Sequence, residues 1–169
     1  MIDEVIILCI SILQNTKSIQ PIKTVFSVFN SLLKCQYNIV HLVEFKLIRQ
    51  KIELLNASAD EIIIVFTLLS YLLTQYQDPV SIEEVVFLLF DEVFKGYQYS
   101  FLVEMVNHLF EQFSGNAFIL SLFDKYIPDA YQNALLNAFN HNDSINPVCD
   151  LICAYLFCDG MRFHSFFHQ

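Results

Sequence analysis

Five cysteines and five histidines are the residues of this chain with the widest chemical range. Cys149, Cys153 and Cys158 precede His164 and His168. A spacing of four puts Cys149 and Cys153 on one helical face, and the two histidines share that spacing. Structural zinc favours a Cys pair with a turn between its ligands. Here the pair sits inside an apolar run, Val148 to Cys158, so no metal site is expected. The cysteines, Cys9 and Cys35 included, read as small apolar core residues. Their odd number and apolar settings point to a reducing compartment and a cytoplasmic protein. A nucleophilic Ser or Cys needs a neighbouring base, usually on a tight turn. No Gly-x-Ser-x-Gly occurs, and three isolated glycines cannot cradle a phosphate. Neither an enzymatic activity nor a cofactor is expected.

The carboxylates form a different pattern. Glu83-Glu84 and Asp91-Glu92 are adjacent pairs, and helical spacing sets 84, 91 and 92 on roughly one side. Such a side is either a solvated face or a docking strip for a basic partner. Aromatic residues crowd the C-terminal third. Tyr155 and Phe157 read as core, but Phe163, Phe166 and Phe167 alternate with His in a short tail, 159–169. That tail either caps the last helices or forms a patch that a partner covers. Glu83, Glu84, Asp91, Glu92, Phe163, Phe166 and Phe167 are therefore the candidate partner-binding residues.

Charge narrows the partner. Eighteen acids against nine bases give a net charge of −9. The densest basic group is Lys46, Arg49 and Lys51, too sparse for the positive footprint that nucleic acid requires. An acidic surface suits another protein that offers a basic or amphipathic helical segment.

The elements that position these residues are helices. Hydrophobic residues make up 55% and charged residues 16% of the chain, against about 45–50% and about 25% in average soluble domains. Only three Gly and four Pro are present, so turns are few and segments long. Apolar periodicity predicts helices over 2–14, 21–34, 39–55, 59–75, 81–95, 99–113, 116–126, 129–140 and 147–158. Pro21 and Pro147 suit first turns. Ser58-Ala-Asp-Glu61 and Ser81-Ile-Glu-Glu84 read as capping boxes. Gly96 reads as a left-handed stop, and Pro128 as a helix end.

The longest uncharged run, Ile62 to Gln77, has 16 residues and five polar side chains, short of the ~20 predominantly apolar residues of a membrane span. It reads as a buried central helix, and a membrane location is not expected. Asp3 and Glu4 stand where a signal peptide would be positive. The expectation is one all-α domain, 1–169, of eight or nine helices. They would form antiparallel hairpins near 21–55, 59–95, 97–127 and 128–158, as a HEAT-like stack or a compact bundle.

From Phe87 onward the chain resembles the C-terminal HEAT-type domain of several translation initiation factors. Three stretches in order carry the likeness: Leu-Phe-Asp-Glu at Leu89–Glu92, a Leu-containing helix at Phe118–Tyr126, and Ala-Phe-Asn-His-Asn-Asp-Ser-Ile at Ala138–Ile145. The resemblance implies a scaffold that binds basic segments of another initiation factor. The family's aromatic–acidic boxes need Trp and runs of Glu. This chain has no Trp and no acid over 161–169, so no box residue carries over. The chain is also similar to virus-type Bcl-2-like apoptosis inhibitors, with 62–77 as central helix and Phe94 to Val103 at the place of their Gly-containing motif. That likeness implies a groove for an amphipathic helix.

Overall fold

The computed structural model describes residues 1–55, 58–96 and 98–157, and all its regular elements are helices. There are eight: α1 (Ile2–Asn15), α2 (Ile19–Lys34), α3 (Phe45–Ile52), α4 (Ala59–Gln75), α5 (Pro79–Lys95), α6 (Phe101–Phe113), α7 (Ala117–His141) and α8 (Asn146–Phe157). The all-α expectation holds. No helix among the described residues is long and apolar enough to cross a membrane. The chain divides into two compact units, Met1–Glu92 and Val93–Gln169.

In the first unit α2 packs along α4 and α1, and α1 also meets α3. The buried positions of α2 are Ile22, Val25, Phe26, Phe29 and Leu33, the steps of three and four that make one helical face. Pro21 lies in the first turn of α2, where its missing N–H removes no bond. The helix closes on Gln36 at φ 62°, with Tyr37 N–H donating to Leu32 O and Gln36 N–H to Leu33 O. This is the Schellman pattern, built without glycine. α4 buries a wide face, Ile62, Val65, Phe66, Leu68, Leu69, Leu72 and Leu73.

Polar side chains also cross between α2 and α4. Lys23 Nζ reaches Glu61 Oε1 at 2.9 Å, and Asn30 Nδ2 donates to Ile64 O at 3.0 Å. Glu61 therefore closes no capping box. Ser58 is the N-cap of α4 but makes no side-chain cap bond, and the Glu61 carboxylate is held by an interhelical cation instead. The second box is absent too. α5 begins at Pro79, and the Asp78 carboxylate accepts from Ser81 N–H at 2.8 Å. Backbone and side-chain hydrogen bonds from Ser81 hold the Asp78 carboxyl below its usual range.

Two predicted boundaries fail for identifiable reasons. The helix expected over 39–55 forms only at Phe45–Ile52. Asn38 Oδ1 accepts from Val40 N–H, and the Gln75 amide accepts from Ile39 N–H and donates to Tyr37 O. These bonds hold 37–39 as irregular chain, and a turn follows at 40–42. Pro128 does not end a helix: α7 runs through it, giving 25 residues where two helices were expected. Lys51 is buried, and its ammonium donates to Thr16 O at 2.7 Å, where α1 ends.

In the second unit α8 packs along α6 and α7. Phe110, Phe113, Phe123 and Tyr155 form an aromatic cluster with ring centroids 5.5–6.4 Å apart. The Tyr155 hydroxyl donates to Asp124. Asn116 caps α7 by accepting from Ile119 N–H at 3.1 Å. α7 closes in the manner of α2, with Asn142 at φ 56° and Asp143 N–H on Ala138 O.

Candidate functional site

The second unit carries an open groove of about 920 Å³. α6 supplies one wall. The positions Ser100, Glu104, Asn107, Glu111 and Ser114 step by four, three, four and three, so they form one ridge. That ridge is left to solvent because the opposite face of α6, Leu102, Val106, Leu109, Phe110 and Phe113, is the one buried. α8 supplies Asp150, Cys153 and Ala154. Val103 and Ala154, both half-buried, give the groove an apolar floor.

Three carboxylates, Glu104, Glu111 and Asp150, are exposed around that floor, and no cationic side chain lines it among the described residues. From 101 to 157 the sequence holds six acids, Glu104, Glu111, Asp124, Asp129, Asp143 and Asp150, against Lys125 alone. The local field is therefore negative, and nearby charges of one sign raise the local concentration of the other. A smaller hollow in the first unit, about 370 Å³, pairs Glu44 with Lys46 and lacks this single-sign character.

The candidates named from sequence are distributed differently. Glu84 and Asp91 lie along one stripe of α5 with Val80 and Phe87, in steps of four, three and four. Val80 is 70% and Phe87 44% exposed, so this stripe mixes apolar and acidic groups. Glu83 lies to one side of it, and Glu92 is turned to the other and half-buried. Phe163, Phe166 and Phe167, with the tail 159–169, lie outside the described residues, as does Cys158.

The cysteines need a correction. Cys9 is buried, and burial pushes its thiol pKa up. Cys35 and Cys153 are exposed and Cys149 is half-buried, so they are not core residues. Cys35 sits on the turn that ends α2, and Cys153 faces the groove. Among the described residues no three His, Cys, Asp or Glu side chains gather as a metal would need.

Glu104, Asn107, Glu111 and Asp150 were not singled out from sequence. The polar ridge of α6 is legible as a stripe with helical spacing, but a stripe alone is a solvated face. It becomes a groove only because α8 lies beside it. Compared with protein-family models, curated proteins and solved structures, the chain matches none.

Proposed function

We propose that this chain is a non-enzymatic protein-interaction module that captures a positively charged segment of another protein in the α6–α8 groove. The supporting observation is the placement of Glu104, Glu111 and Asp150 around an apolar floor, with no cation among the described residues that line it. Charge of one sign steers a partner of the other, and the floor gives it apolar surface to bury. The likeness to the HEAT-type domain of initiation factors suggests where to look: a basic segment of another initiation factor, met in the cytoplasm.

The test is a titration of the full chain with a synthetic Lys-rich amphipathic peptide, read by fluorescence anisotropy. Wild type is compared with the double variant Glu104→Lys/Glu111→Lys. Exposed ion pairs contribute up to about 1 kcal/mol each, so reversing two weakens binding about tenfold or more. Binding of equal strength to both chains would overturn the proposal.

A further inference from the structure

Resting on that reading, we infer that the occupant of the groove is an amphipathic α-helix with two cationic side chains seven residues apart. The walls decide its conformation. Apart from the cap residues Ser100 and Ser114, the lined positions lie within α6 and α8, so their backbone N–H and C=O groups are used within each helix. A β-strand ligand needs a row of free backbone groups, and these walls offer none. A polyproline segment needs an aromatic-lined shelf. The lining has one ring, Phe110, and that ring is 1% exposed. A helix needs neither. Its ridges of side chains at steps of three and four fit the furrow between two other helices.

The same walls set the spacing. Glu104 and Glu111 are seven residues apart on α6, two helical turns, or about 10.5 Å along the axis. A helix lying along α6 meets both carboxylates with Lys or Arg at positions i and i+7. Apolar residues at i+3 and i+4 lie between them, over Val103 and Ala154. Asp150 stands on the other wall and can take a third cation. Asn107, between the two glutamates on the same ridge, places a neutral amide at that level.

Cys153 lines the groove and is exposed, which makes it a reporter of occupancy. The experiment alkylates the full chain in the presence of three synthetic peptides of equal length and net charge. One is helical with Lys at i and i+7. One is helical with both Lys moved to adjacent positions. One has the i, i+7 pattern interrupted by a central Pro. Mass spectrometry follows Cys153 and, as control, the exposed Cys35. At about ten times its Kd the first peptide leaves roughly one groove in ten free, so Cys153 alkylation slows about tenfold. Cys35 is unchanged, and the other two peptides protect Cys153 far less at the same concentration. Equal protection by all three would overturn the helix and its spacing while leaving a cation-binding groove. Binding of any of them without protection of Cys153, or no binding at all, would overturn the groove as the site.

Discussion

The two closely packed helix pairs use polar groups in opposite ways. Between α2 and α4 the charges face inward: Lys23 meets Glu61, and Asn30 reaches the Ile64 carbonyl. Between α6 and α8 the interior is aromatic, and the carboxylates Glu104, Glu111 and Asp150 stay at the solvent edge. A charge already answered inside its own unit is part of the packing. A set of charges with one sign, left at the mouth of a groove, is available to another molecule. The first unit and the second thus separate structural electrostatics from electrostatics that can recognise something.

The largest expected effect lies in the aromatic interior. Phe123→Ala removes a fully buried ring from contact with Phe110 and Phe113. It is expected to cost about 3–5 kcal/mol, measured by denaturant unfolding. An equal loss from Glu104→Ala would erase the contrast, because that side chain is exposed and should matter for stability by less than about 0.5 kcal/mol.

Next comes the inward pair of the first unit. Lys23→Ala leaves the buried Glu61 carboxylate without its cation, and one Glu61 oxygen already lacks a partner among the described residues. The expected cost is about 2–3 kcal/mol in the same assay, recovered in good part by Lys23→Met with Glu61→Leu. If the apolar pair is no better than Lys23→Ala, the charges contribute more than packing.

Tyr76 offers a pH test in the first unit. Burial first, then the charges of Asp78 and Glu84, push its phenol up to about 12 from an ordinary 10. The neutral phenol is the form favoured by folding. Its contribution is therefore fully present below pH 10 and is lost as pH rises through the folded value near 12. Ultraviolet titration should show the Tyr76 phenol ionising about two units late, and Tyr76→Phe should reduce the late-ionising signal by one phenol.

The smallest effects concern the two left-handed helix ends. Gln36→Gly relieves a side chain at φ 62° and should gain about 1 kcal/mol. Asn142→Gly, at φ 56°, should gain only a few tenths, since Asn tolerates that region. Thermal melts of the two variants check the order.

The sequence carried the helices well and their junctions poorly. Steps of three and four located α2, α4 and α6 because one face of each is buried. Local motifs misled where a distant residue competed. Glu61 had a capping partner three residues away and a lysine thirty-eight residues away, and the lysine won. The helix expected from residue 39 does not start there, because the Gln75 amide ties down Ile39 N–H and Tyr37 O. Pro128 carried a general cost of helix interruption that α7 absorbs. The groove was invisible for the same reason: its walls come from α6 and α8, whose lining residues lie about forty positions apart.

The bond from Lys51 to the carbonyl of Thr16 has a consequence in time. The ammonium closes a stretch of 35 residues onto the last turn of α1. Without α3 the Thr16 carbonyl lacks this ammonium, so that bond at the end of α1 depends on α3 being docked. Amide hydrogens in the final turn of α1 should then exchange in step with those of α3, and Lys51→Met should let that turn fray while the start of α1 is unaffected.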